Sequence, residues 1–143
     1  NYCETNNLEF NHYGGTFNMN SELNKSLEEN EKLIQGSIVA PAIQFDWQIK
    51  QNYIPCRIFK NISYGKMGVT NSSAVNELFD HKLIYSENVD ELMDKATEFE
   101  TLTDKNTIVK ELMREVRDNH TYINRCNYVL EYLKKYMNVI ICQ

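Results

Sequence analysis

The chain has 143 residues, of which 42% are apolar and 24% charged, and its formal net charge is −5. This length and composition predict one ordinary globular domain with a hydrophobic core of its own. The acidic balance argues against a nucleic-acid-binding protein. No apolar run approaches the roughly 20 residues of a membrane span, so we expect no transmembrane segment.

The four cysteines are widely separated, at Cys3, Cys56, Cys126 and Cys142. None of them forms a CxxC pair, and no histidine spacing indicates a zinc site. We therefore expect reduced thiols in a cytoplasmic protein with no bound metal and no cofactor. Because the chain starts at Asn1 rather than at Met, we also expect it to be part of something longer.

The first part of the chain is predicted to alternate strands and helices. Apolar and polar residues alternate from Leu8 to Tyr13 and stop at Gly14-Gly15, which predicts a strand followed by a loop. Asn20 or Ser21 is predicted to cap an amphipathic helix. The short, β-branched segment Ser37–Ile43 then predicts a buried strand.

A second group of signals marks a helix, a strand and a further helix. Pro55 suits the first turn of a helix, and Gly65 is a natural stop for it. Met67 to Thr70 is predicted to be a short strand. Asn71-Ser72-Ser73 then caps a helix that runs through Phe79.

The last part of the chain is predicted to be mostly helical. Lys82 to Tyr85 reads as one more strand. Asn88 and Glu91 resemble a capping box that opens a helix through about Glu100. Two amphipathic helices follow, near Asn106–Asp118 and Thr121–Met137.

The predicted order β-α-β-α-β-α-β, followed by helices, is typical of an α/β fold with a Rossmann-like parallel sheet flanked by helices. Ligands of such sheets bind beyond the carboxyl ends of the strands. The loops to consider are therefore Gly14-Gly15, Ala40 to Tyr53, and Thr70 to Ser73.

The helix that begins near Pro55 carries a polar stripe at positions i, i+3, i+4 and i+7, formed by Arg57, Lys60, Asn61 and Tyr64. Two cations near a helix N-terminus, where free backbone N–H groups favour anions, make a plausible diphosphate site. The alternative is an ordinary solvated polar face.

The segment PCRIFKNISYGKMGVTNSSAVNELF, from Pro55 to Phe79, resembles the donor-binding helix, glycine stop and following strand of GT-B glycosyltransferases. The similar branch is the group-1 enzymes related to spore-maturation glycosyltransferases. That branch also has a late His-Thr-Tyr followed by an arginine, matched here by His120-Thr121-Tyr122 and Arg125. The resemblance covers nearly the whole chain but only half of a complete enzyme.

The resemblance implies that residues 1–143 are a single donor-binding domain, the C-terminal half of a longer two-domain enzyme. Such a hexosyltransferase-like enzyme transfers sugar from a nucleotide-diphosphate sugar to a hydroxyl of a glycan, protein or small molecule. An N-terminal domain would bind the acceptor, and no metal is needed. The alternative function is a non-catalytic α/β protein-interaction module.

The sequence departs from the family pattern at one important place. Many retaining members use two glutamates eight positions apart, and the matching positions here are Asn52 and Lys60. Lys60 cannot accept a hydrogen bond from ribose hydroxyls. Either the ribose is held elsewhere or Lys60 contacts phosphate, and both retention and inversion remain possible.

The remaining candidates for substrate binding each have a plain structural alternative. Gly14 and Gly15 would let backbone approach the donor phosphates, or they form a simple turn. Asn71 and Ser72 would offer polar groups to the ligand, or they cap a helix. Tyr53, together with Trp47, would stack on a base, or it packs in a core or a domain interface. We expect a structural role for His120, and we assign no catalytic residue.

Overall fold

The computed structural model describes residues 2–10 and 25–137. Within these ranges the chain forms a mostly helical α/β domain. Its helices and strands, in chain order, are α1 (Tyr2–Thr5), α2 (Leu27–Gly36), α3 (Asp46–Lys50), α4 (Cys56–Ser63), β1 (Val69–Thr70), α5 (Ser73–Leu78), β2 (Ile84–Tyr85), α6 (Val89–Phe99), α7 (Lys105–Asn119) and α8 (Tyr122–Met137).

The sheet is small and parallel. β1 pairs with β2, and Val69 lies opposite Ile84. Ala42 extends the pairing on the other side of β1 through an isolated parallel bridge to Thr70, and its N–H donates to the Val69 carbonyl at 2.8 Å. Each strand is followed by a helix, which gives the order β1-α5-β2-α6. The α/β class predicted from the sequence is confirmed at this level.

The main core lies between α4 and α7. Apolar side chains at helical spacing on both helices are buried in one cluster, because each helix is apolar along a single face. α4 contributes Ile58, Phe59 and Ile62, and α7 contributes Val109, Leu112 and Val116. A second cluster covers the sheet, where Val69 packs with Leu92 and Ala96 of α6.

The predicted strand from Ser37 to Ile43 was wrong. Only Ala42 makes a strand-like bridge, and the residues on either side of it are irregular. The strands predicted at Met67–Thr70 and Lys82–Tyr85 exist but are shorter than predicted, as β1 and β2. Of the proposed strand Leu8–Tyr13, residues 8–10 are not in a strand and the rest lies outside the described residues. The cap predicted at Asn20 or Ser21 also lies outside them, and the described helix is capped by Ser26.

The predicted boundaries of α4 were correct to within a residue. Pro55 precedes the first helical residue as the N-cap. Gly65 has a φ of +84°, a left-handed conformation that L side chains rarely adopt. This conformation lets the chain leave the helix, and the Lys66 N–H donates back to the Asn61 carbonyl at 3.0 Å.

The joint between α7 and α8 is built from the late motif His120-Thr121-Tyr122. The His120 ring lies against Phe59 and Phe79, with ring centroids 5.4 and 4.9 Å apart. The Arg125 guanidinium lies over the Phe59 ring, 4.9 Å from its centroid. Partial burial lowers the pKa of His120, and Arg125 lowers it further, while Glu115 acts in the opposite direction. These contacts dock the joint on α4, which is a structural role.

In residues 2–10 and 25–137 we find no helix that is both long enough and apolar enough to cross a membrane.

The glycines of the described chain give a matched set of stability variants. Gly65→Ala should destabilise the fold by about 1–2 kcal/mol, because alanine is strained in the left-handed region. Gly68→Ala should cost about 1–3 kcal/mol, since its new Cβ would lie 2.5 Å from Leu83 Cδ2 in the core. Gly36→Ala is the control, because its Cβ would meet nothing within 4 Å.

Urea unfolding of the three variants measures these free energies. We expect Gly36→Ala to be neutral or slightly stabilising. Equal effects of Gly65→Ala and Gly36→Ala would contradict the left-handed turn at residue 65.

Candidate functional site at the carboxyl edge of the sheet

The segment from Ser37 to Ile43 is held by side chains of α4 and of the turn that follows it. The carbonyl of every third residue in this segment accepts a hydrogen bond from a polar side chain. Arg57 Nη2 donates to Ile43 O at 2.6 Å, Asn61 Nδ2 donates to Ala40 O at 2.7 Å, and Lys66 Nζ donates to Ser37 O. Two members of the polar stripe on α4, together with Lys66 in the turn after it, therefore satisfy backbone carbonyls that would otherwise need a neighbouring strand.

Asn61 is the most constrained member of this group. Its side chain is only 6% exposed, although α4 is otherwise apolar on its buried face. A buried amide without a partner costs about 1–3 kcal/mol, so the bond to Ala40 is a requirement of the fold. Arg57 is exposed, and only one of its five N–H donors is engaged by Ile43.

A second clamp fixes Gln44, one residue beyond this segment. The side-chain amide of Asn71 pairs with the backbone of Gln44 in both directions. Gln44 N–H donates to Asn71 Oδ1 at 2.8 Å, and Asn71 Nδ2 donates to Gln44 O at 3.0 Å. Asn71 is 6% exposed and directly follows β1, so its side chain continues the pairing that a longer strand would provide.

Two polar atoms beside this clamp have no hydrogen-bond partner in the described part of the chain. Gln44 Nε2 donates to the Tyr53 carbonyl at 2.8 Å, but Gln44 Oε1 is unpaired. The Ser72 hydroxyl is fully buried and also unpaired. Ser72 occupies the N-cap position of α5 without a side-chain capping bond. Helix capping therefore does not explain its hydroxyl.

Gln44 and Asn71 border an open cleft of about 600 Å³ at the carboxyl edge of the sheet. The cleft collects residues that follow the Ala42 bridge, β1 and β2, which are the positions where open parallel sheets bind ligands. Its lining consists of Ile43, Gln44, Phe45, Asp46, Trp47, Lys50, Asn71, Glu87 and Val89. Two of the three loops predicted to form the site, Ala40 to Tyr53 and Thr70 to Ser73, contribute to this lining.

The cleft carries charges of both signs. Asp46 and Glu87 supply carboxylates, and Lys50 supplies an ammonium group. The Tyr85 hydroxyl donates to Glu87 at 3.1 Å. The pKa of Tyr85 is raised mainly by burial and, to a smaller extent, by this contact with Glu87. In the described ranges no group of three or more His, Cys, Asp or Glu side chains is placed to hold a metal ion.

The predicted binding residues do not all meet at this cleft. Arg57 does not line the cleft, but its guanidinium bonds to the carbonyl of Ile43, which does. Lys60 lies in the last turn of α4, with its ammonium 5.8 Å from the centroid of the Tyr64 ring. Asn52 is exposed, with a φ of +50°, and Tyr53 meets the site through its carbonyl. Neither residue lines the cleft.

Gly14 and Gly15 lie outside the described residues.

The sequence reasoning missed Gln44 and Phe45 and assigned no helix to Trp47. The stretch after Ile43 was expected only as part of a loop, from Ala40 to Tyr53, whereas Asp46–Lys50 forms the short helix α3. The alternation of aromatic and polar residues in Gln-Phe-Asp-Trp-Gln was the available signal, because exposed aromatics flanked by polar groups are common in binding sites.

The chain matches no family model, and the comparisons found no similar curated protein and no similar solved structure. The resemblance described above therefore rests on the residues of this chain alone.

Asn71→Ala should destabilise the fold by about 2–4 kcal/mol, because it leaves both backbone groups of Gln44 buried without partners. Asn71→Asp should also be costly, since a carboxylate oxygen would then face the Gln44 carbonyl. The control is Asn88→Ala, which removes an exposed N-cap worth about 1 kcal/mol. Urea unfolding gives each value. A cost for Asn71→Ala no larger than that for Asn88→Ala would contradict the clamp.

Proposed function

We propose that this chain is the donor-binding half of a GT-B-type glycosyltransferase and that the cleft holds a nucleotide-diphosphate sugar. The observation that supports this most is the convergence of Gln44, Asn71 and Glu87 on one cleft, each from the segment that follows a parallel strand or bridge. This is where Rossmann-like sheets bind nucleotides. The β1-α5-β2-α6 order supports a Rossmann-like sheet as part of the proposal.

Arg57 is the proposed diphosphate ligand. It lies in the first turn of α4, beside backbone N–H groups that favour an anion. Its guanidinium is already oriented at the cleft edge by Ile43, and its other N–H donors are available in the described structure. A planar fork of donors suits a phosphate, because it offers two parallel hydrogen bonds.

The proposed reaction is a displacement at the anomeric carbon of the sugar. The bond from this carbon to the diphosphate oxygen breaks, and the acceptor hydroxyl forms the new bond. Arg57 would stabilise the negative charge that develops on the leaving diphosphate. The acceptor and the group that takes its proton would belong to a second domain, so the isolated chain should bind the donor without transferring sugar.

The second candidate is a non-catalytic α/β interaction module, and α8 favours it. This helix has no fully buried residue. It exposes a series of large apolar side chains, namely Tyr122, Ile123, Tyr128, Val129, Leu130, Tyr132, Tyr136 and Met137. An apolar surface of this kind is typical of a protein contact. The nucleotide experiment below separates this candidate from the first.

The proposal predicts that nucleoside diphosphates stabilise the chain against heat. At 100 times its dissociation constant, a ligand should add about 2.7 kcal/mol of stability. UDP, GDP and ADP are titrated to millimolar levels while thermal unfolding is followed. Arg57→Ala should weaken diphosphate binding by about 1.5–3 kcal/mol, the range of charge-assisted hydrogen bonds, and uncharged nucleosides should be affected much less.

Two variants act as controls for this titration. Arg114→Ala removes another exposed arginine, on α7 and outside the cleft, and should leave affinity unchanged. Lys60→Ala should have a smaller effect than Arg57→Ala, since Lys60 lies in the last turn of α4. The absence of stabilisation by all three diphosphates would contradict the donor-site proposal and favour the interaction module.

A further inference from the structure

Two aromatic side chains stand exposed in the wall of the cleft. Phe45 is 73% exposed and Trp47 is 64% exposed, and both line the cleft. Exposed aromatic residues scattered singly over a surface need no explanation. Two of them line one cleft and are only two positions apart in the chain. Their rings provide apolar surface on which a flat ligand can stack.

The backbone that carries this aromatic pair is fixed. Phe45 N–H donates to Gln48 Oε1 at 3.1 Å, and Gln48 N–H donates to the Phe45 carbonyl at 2.9 Å. The residue before Phe45 is Gln44, which Asn71 holds from both sides. The pair is therefore presented from an ordered turn, so little conformational entropy is lost when a ring stacks on it.

Gln44 adds a polar group to the same wall. The residue is 3% exposed, and its Oε1 has no donor in the described part of the chain, whereas its Nε2 is bonded to Tyr53. A buried amide oxygen without a donor is costly. A ligand with an N–H group on its edge would supply that donor once the Gln44 side chain turns toward the cleft, since the oxygen is buried in the free chain.

We propose that Phe45 and Trp47 form a stacking platform for a nucleobase, whose N–H edge is read by Gln44 Oε1. The platform rests on the proposed function, because the base would be that of the donor nucleotide. Planar heterocycles with an apolar face and N–H donors on their edge match both features of the wall, and base–aromatic stacking tolerates any base. Of the two aromatic residues that the sequence offered for stacking on a base, Trp47 lines the cleft and Tyr53 does not.

The test uses the fact that Trp47 is the only tryptophan in the chain. Its fluorescence is followed while adenosine, guanosine and uridine are added, with pyrophosphate as the ligand that lacks a base. At least one nucleoside should quench the emission in a saturable way, and pyrophosphate should not.

Calorimetry on variants then measures each part of the platform. Trp47→Ala and Phe45→Ala should each weaken nucleoside binding by about 5- to 150-fold, which corresponds to the loss of one stacked base. Trp47→Tyr should retain most of the affinity. Tyr128→Ala, which removes an exposed aromatic residue from α8, is the control and should change nothing.

A methylated ligand tests the role of Gln44. N6,N6-dimethyladenosine keeps the adenine ring but lacks its exocyclic N–H donors, and 3-methyluridine lacks the ring N–H of uridine. Whichever parent nucleoside binds should bind severalfold more tightly than its methylated form. Equal affinities would overturn the assigned role of Gln44 Oε1.

The outcomes separate this inference from the proposed function. Suppose that diphosphates stabilise the chain through Arg57 but do not quench Trp47, and that Trp47→Ala binds them with unchanged affinity. This result would overturn the platform but not the donor site. If nucleosides quench Trp47 and the diphosphate adds no affinity, the result would support the platform and count against the donor site. No effect of any of these ligands would overturn both.

Discussion

The hydrogen bonds from Arg57, Asn61 and Lys66 to the segment Ser37–Ile43 are the constraint on which the rest of the structure depends. They give backbone carbonyls the partners that a sheet would normally supply, although the segment is not a strand. α4 is packed on α7 through the main core. The hydrogen bonds therefore fix the position of the segment relative to that core. The cleft wall that follows, at Gln44, is then fixed by Asn71. Polar side chains on α4 and in the turn after it thereby link the hydrophobic core to the candidate site.

Much of the fold could be predicted because its signals are local. Pro55 and Gly65 mark the limits of α4, and Asn88 caps α6 with its own side chain. The segment Ser37–Ile43 failed for the opposite reason. Its β-branched residues indicate burial in an extended conformation, but the partners of its carbonyls lie 14, 21 and 29 positions away, on α4 and in the turn after it. Composition does not reveal whether such partners are strands or side chains.

The candidate site was predictable in position but not in detail. The rule for parallel sheets named the loops after the strands, and two of those loops line the cleft. The rule does not say how each side chain is used. Asn61 looked like a ligand because it shares a helical face with Arg57, yet its side-chain amide donates to the Ala40 carbonyl. Asn71 acts as a backbone clamp. Phe45 lay in a stretch with no strand or helix signal, where Trp47 was named as a possible stacking residue and Phe45 was missed.

Hydrogen exchange at individual amides of Asn61→Leu tests most directly whether α4 positions the cleft wall. The amides of Ala42, bonded to Val69, and of Gln44, bonded to Asn71, report on the wall, and the amide of Leu112 in α7 reports on the core. If the account is right, the two wall amides should exchange about tenfold faster relative to Leu112, since local opening becomes cheaper by roughly one hydrogen bond. If all three amides accelerate by the same factor, Asn61 supports only global stability, and the account is contradicted.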